Sequence, residues 1–98
     1  MEIKIQSIHF DADQKLLQYI EKKLEKLQNI NDQVIHVDVF LRLENAGSSV
    51  KDKTSEIKIN IPGSTLFSKD TAKTFEESVD GAVESMRRQL KKSKEKFK

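Results

Sequence analysis

Cysteine and tryptophan are absent from these 98 residues, proline occurs once, glycine three times and tyrosine once. Without cysteine there is no disulfide, no thiolate metal site and no cysteine nucleophile. No apolar run approaches the roughly 20 residues that a membrane-spanning helix requires. The opening Met1-Glu2-Ile3-Lys4-Ile5 lacks the basic-then-apolar order of an export signal. A soluble cytoplasmic chain without a membrane partner is expected. Catalytic motifs are missing too: there is no G-x-S-x-G elbow, no glycine-rich phosphate loop and no H-E-x-x-H pair. Of the two histidines, His9 stands with Asp11 and Asp13 in the best metal-ligand grouping. The same spacing describes a strand end followed by helix-capping carboxylates, which is the commoner origin of such clusters. His36 with Asp38 two residues on reads as a surface pair. Nothing assembles a nucleophile with its base. The chain is therefore expected not to be an enzyme and to use no cofactor, metal or small-molecule substrate.

What is present is charge and periodicity. Charged residues make up 35% and hydrophobic ones 36%, enough for one modest core in a single domain over 1–98. Residues 2 to 8 alternate around Ile3 and Ile5, a half-buried strand that ends or bulges near Ser7. From Asp13 to about Asn29, Leu16, Leu17, Ile20, Leu24 and Leu27 recur at helical spacing. Residues 34 to 44 alternate again, with Ile35, Val37, Val39, Leu41 and Leu43 inward. Residues 45 to 49 have loop chemistry, and a further strand places Ile57, Ile59 and Ile61 inward. Pro62-Gly63 suits the centre of a type II turn, since proline presets φ and glycine accepts a positive one. A short fourth strand is predicted over 64 to 70, with Asp70 or Thr71 capping a last helix from about Ala72 to Lys94. That helix buries Phe75, Val79, Ala82, Val83, Met86 and Leu90, and Gly81 within it points to close packing. The order β-α-β-β-β-α makes the first two strands parallel and the others antiparallel. Both helices then cover one face of a four-stranded mixed sheet, an α+β two-layer sandwich.

The net charge of +2 conceals a strong asymmetry. Residues 85 to 98 carry seven bases and one acid, for +6, whereas the other 84 residues carry 11 bases and 15 acids, for −4. Acids early and bases late in a helix suit its dipole, which accounts for two or three lysines but not for seven. The first helix adds a basic flank of Lys15, Lys22, Lys23 and Lys26 that also holds Tyr19. With both helices on one side of the sheet, these cations can share an outer surface with Arg88, Lys91 and Lys92. Two rows of cations along a groove suit nucleic-acid phosphates. Tyr19 is placed either to stack on a base or simply to pack.

Tyr19-Ile-Glu-Lys-Lys-Leu-Glu-Lys-Leu27, the hairpin end Asn60-Ile-Pro-Gly63, and Phe75…Val79-Asp80…Met86-Arg-Arg-Gln-Leu-Lys-Lys92 resemble the ribosome hibernation promoting factor and ribosome-associated inhibitor family. The resemblance runs the length of the chain, in order. It implies a fold of double-stranded-RNA-binding-domain shape. It also implies binding to the small ribosomal subunit and its ribosomal RNA in the decoding channel, where messenger and transfer RNA are blocked during stationary phase or stress. The RNA-binding set expected on charge and resemblance together is Lys22, Lys23, Lys26, Arg87, Arg88, Lys91, Lys92 and Lys96. Of these, Lys23 and Lys26 match the family's basic positions in the first helix, and Arg88, Lys92 and Lys96 match those in the last. Two positions depart from the pattern: Ser85 stands where the family has lysine, and Arg87 where it has glutamate. The family's short type is expected, monomeric off the ribosome, with residues 93–98 as a basic tail. Two other functions fit the same residues: a protein-binding regulator of a sigma factor, as the family has also been described, and a generic module for structured RNA.

Overall fold

The computed structural model describes residues 1–8, 10–45 and 51–96. His9 of the expected metal grouping and most of the expected loop at 45–49 lie outside the described residues. The elements are β1 (Glu2–Ile8), α1 (Gln14–Ile30), β2 (His36–Asn45), β3 (Lys51–Ile61), β4 (Ser64–Ala72) and α2 (Phe75–Lys96). They form one sheet in the order β1-β2-β3-β4. β1 runs parallel to β2, and the β2–β3 and β3–β4 pairs are antiparallel. The expected α+β sandwich is thus the fold observed.

Each element follows from local chemistry. β1 keeps an unbroken register with β2 from Glu2 opposite His36 to Ile8 opposite Arg42, so it ends at Ile8 without a bulge. Asp13 caps α1 from an extended conformation, its Oδ1 accepting from Leu16 N at 2.8 Å. Leu16, Ile20, Leu24 and Leu27 are buried along one stripe of α1, whereas Leu17, expected among them, is only half-buried. Gly63 takes φ +77° in the β3–β4 turn, the conformation that glycine adopts without steric cost.

Three expectations need correction. Ile35 is 57% exposed, and Val34 is buried in its place. Ile35 stands at the rim of the sheet, where its backbone is fixed by Asn60 O and Glu2 N, and β2 proper begins one residue later. Asp70 and Thr71 do not cap α2, because β4 keeps pairing with β3 through Ala72. The cap is Thr74, whose Oγ1 accepts from Glu77 N at 3.2 Å. The helical backbone of α2 continues to Lys96, so the expected tail from 93 is helical that far.

The core lies between the sheet and the helices. Val37, Val39, Leu41, Ile57 and Ile59 from the sheet meet Ile20 and Leu24 of α1 and Val79, Ala82, Met86 and Leu90 of α2, all fully buried. Each of these side chains larger than alanine contributes about 1.5–3 kcal/mol by leaving water. α2 lies over β3 and β4 and is drawn close by small residues. Ser55 and Ser78 share a buried hydrogen bond of 2.6 Å, and Ser68 Oγ donates to Ala82 O at 2.9 Å. A Cβ at Gly81 would clash with the Asp70 carboxylate of β4. The close packing expected at Gly81 is therefore contact with the sheet.

Candidate nucleic-acid interface

The two helices run side by side in the same direction. Phe10, ahead of α1, stacks on Phe75, the first residue of α2, with ring centroids 4.9 Å apart. One shallow depression spans both helix starts, lined in part by Asp13, Leu16, Thr74 and Glu76. Tyr19 is the sixth residue of α1 and Asp80 the sixth of α2, and they touch. This sets the axial offset: Lys26 is level with Arg87, each seven residues further on. At about 1.5 Å per residue the last five residues of α2 extend some 7 Å past the end of α1.

Along this pair the charge is graded. Asp11, Asp13, Glu76 and Glu77 sit at the starting end, and the cations gather toward the far end. Between the helices the expected groove is occupied. Tyr19 donates its hydroxyl proton to Asp80 Oδ1 at 2.6 Å, and Lys23 Nζ reaches the same oxygen at 3.2 Å. The Lys23 ammonium also lies 5.5 Å from the centre of the Tyr19 ring, within cation–π range. The Asp80 hydrogen bond raises the pKa of the Tyr19 hydroxyl, aided by partial burial, and it raises that of Lys23 as well. Of the two roles open to Tyr19, the geometry shows packing, with the ring against the core and the hydroxyl tied down.

The remaining cations divide around α2. Seven residues turn a helix by roughly two full turns less 20°, so Arg87 shares the α1-facing flank with Asp80. It is held there by Glu84, with Nε at 3.0 Å and a terminal nitrogen at 2.6 Å. Arg87 keeps the Glu84 carboxyl below the usual carboxylate range, and the charges of Arg88 and Lys91 add to the effect. By the same arithmetic Arg88 and Lys92 lie within about 20° of Gly81, on the flank facing β4. There they line an open depression of about 390 Å³ with Ser85, Gln89 and Lys91. Gln89 fixes this flank by donating from Nε2 to the Phe67 carbonyl of β4 at 2.8 Å. Lys22 and Lys26 are exposed on α1.

The predicted residues thus divide: Lys26 and Arg87 stand level on facing flanks of the helix pair, whereas Arg88 and Lys92 turn toward β4. Lys22, Lys26, Arg88, Lys91 and Lys92 are exposed and make no ion pair among the described residues, whereas Lys23 and Arg87 each have an acid of their own. The Lys96 side chain lies outside what is described. Among the described residues no group of histidines and acids has metal-binding geometry, and Asp13 is engaged as a cap. His36 Nε2 and Asp38 Oδ1 are 2.8 Å apart, the expected surface pair. Asp80, which the sequence marks only as part of the Val79-Asp80 motif, is also the clamp between the helices.

Similar proteins agree with this fold. The chain is 27% identical over 96 residues to the ribosome hibernation promoting factor of Pseudomonas putida, covering 98% of this chain and 89% of that one. It is 24% identical to the factor of the same name from Escherichia coli, covering 100% and 98%. A ribosomal subunit interface protein from Coxiella burnetii superposes with a TM-score of 0.83 at 23% identity, covering all of both chains. The N-terminal domain of Thermus thermophilus Protein Y superposes with a TM-score of 0.75 at 25% identity, covering 94% of this chain and 98% of that domain. The family described as "Sigma 54 modulation protein / S30EA ribosomal protein" matches residues 3–98, and the chain belongs to that family.

Proposed function

We propose that this protein is a ribosome hibernation factor that binds ribosomal RNA of the small subunit through the exposed cations of its helix pair. In this reading it occupies the decoding channel and keeps messenger and transfer RNA out. The observation that carries it is the set of exposed cations, Lys22, Lys26, Arg88, Lys91 and Lys92, that the fold leaves without acids among the described residues. The relatives named as hibernation factors support the same reading.

The mechanism needs no bond-making. Cations meeting phosphates release condensed counterions, which makes the affinity fall steeply with salt. The packed sheet-and-helix body then fills space that other RNAs require. Arg88 is the strongest single contributor, because a guanidinium can chelate a phosphate with two parallel hydrogen bonds. Arg87 contributes less, since its guanidinium is already chelated by Glu84.

Co-sedimentation with purified small subunits tests this directly. Wild type is retained at low salt and released as salt rises, and messenger RNA with transfer RNA competes it away. Arg88→Ala is retained least, Arg87→Ala more, and Lys98→Ala as wild type. Equal retention of all three variants counts against the reading. Salt-insensitive binding to a sigma factor, with none to ribosomes, would favour the protein-regulator alternative. Equal affinity for free duplex RNA and small subunits would favour a generic RNA module.

A further inference from the structure

A second group of cations lies on the far side of the sheet, at its β4 edge. Cross-strand pairing places Lys58 opposite Phe67, and Lys69 follows Phe67 by two residues on the same face. Phe67 is 53% exposed, one of few large apolar side chains left in water among the described residues, and both lysines are exposed as well. The acids beside them are held by other partners. Asp38, opposite Lys58 across β2, is bound to His36, and Glu56, opposite Lys69, is bound to Arg42. Lys58 and Lys69 make no ion pair among the described residues.

The helix side of the same strand carries the Arg88–Lys92 depression. The hydrogen bond from Gln89 Nε2 to the Phe67 carbonyl brings the two groups to one level of the fold. An exposed aromatic ring therefore stands at a strand edge with Lys58 and Lys69 on one side and Arg88 and Lys92 on the other.

We propose that this edge is a nucleobase-stacking site, in which Phe67 receives an unpaired base while the four flanking cations meet the adjoining phosphates. The inference rests on the RNA-binding reading above and adds the form of RNA recognised: a single-stranded segment passing over the β4 edge. Bases have an apolar face that an aromatic ring can cover whatever their sequence, and neighbouring cations guide the backbone. A base inside a duplex is already stacked and cannot take that place. A second copy of the chain fits the edge less well. Edge-to-edge pairing would bring like-charged lysines together and compete with Gln89 for the Phe67 carbonyl.

The absence of tryptophan makes the site open to a direct test, because Phe67→Trp introduces a single indole reporter. Full-length Phe67→Trp protein is titrated with a short oligoadenylate and with duplex RNA of equal length. Oligoadenylate is expected to quench the indole emission, and the duplex to bind without quenching it. Phe67→Ala should weaken oligoadenylate binding about ten-fold or more, with duplex binding and thermal unfolding unchanged, and Phe67→Tyr should restore it.

An unquenched indole, or equal oligoadenylate affinity for Phe67→Ala and wild type, overturns the stacking site. If Arg88→Ala and Lys92→Ala weaken both RNAs while Phe67→Ala is silent, the stacking site fails and the helix-face reading survives. If no variant alters binding to either RNA, both fail together. Loss of self-association in Phe67→Ala, seen by sedimentation, would overturn the proposal in favour of contact between copies.

Discussion

The middle and the far end of the helix pair use the same side chain for opposite purposes. Midway along α1, Lys23 is part of the structure: with Tyr19 it is drawn onto Asp80 and helps lock α1 against α2. Toward the far end, Lys26, Arg88, Lys91 and Lys92 are exposed with no ion pair among the described residues. A lysine is available to a polyanion only where the fold has not supplied its own acid. Counting cations therefore overstates a binding surface, and the difference between the two regions can be measured.

The largest effect is expected from removing the far end together. Arg88→Ala, Lys91→Ala and Lys92→Ala combined should make the slope of log affinity against log salt shallower by roughly 2–3, with little loss of stability. Titration of small subunits at several salt concentrations checks this, and an unchanged slope would erase the distinction between the two regions. The reverse pattern is expected at Asp80. Asp80→Ala strands both Tyr19 and Lys23 and should cost about 1 kcal/mol, a value reduced from that of a buried charged hydrogen bond because the site is partly exposed. Urea denaturation reads that loss. RNA affinity should hold or rise, since an acid has left the face.

A finer comparison sets Lys23→Ala against Lys26→Ala. Lys26→Ala should leave stability within about 0.5 kcal/mol and reduce the salt slope by about 1. Lys23→Ala should lower stability, with a coupling to Asp80 of about 0.2–1 kcal/mol in a double-mutant cycle. A coupling of zero would mean that Lys23 belongs with the free cations.

The smallest effect is alkaline. The fold raises Tyr19 above its ordinary 10.0 and Lys23 above 10.5. The stability they contribute is complete below those ordinary values and is lost as pH climbs through the higher folded ones. Wild type and Asp80→Ala should therefore converge in melting temperature as pH passes 10. A constant gap would show that the clamp is not ionic.

How much was legible beforehand differs between fold and site. The alternation around Ile57, Ile59 and Ile61 and the stripe through Leu16, Ile20, Leu24 and Leu27 located strands and helices directly, because a side chain's face follows from its spacing along the chain. Errors fell at element ends. Ile35 has the right parity but stands at the sheet rim, and Thr74 rather than Asp70 or Thr71 begins α2 because strand pairing outlasted the local capping signal. The site was legible as composition and not as arrangement. Phe67 in particular passed as one residue of a short strand, since nothing in its neighbours reveals that its ring stays in water.

Taken alone, the order of residues determined which elements form, which stripe of each is buried, and that one stretch carries excess positive charge. Those are properties of spacing and composition within a segment. Only tertiary packing decided that Asp80 would meet Tyr19 and Lys23, that Arg88 and Lys92 would turn toward β4, and that Gln89 would reach Phe67. The axial offset and rotation of two helices are set by how their buried side chains interlock with the sheet. A shift of one residue along α2 turns each cation by about 100°, and with it changes which charges are spent inside the molecule and which remain for a partner.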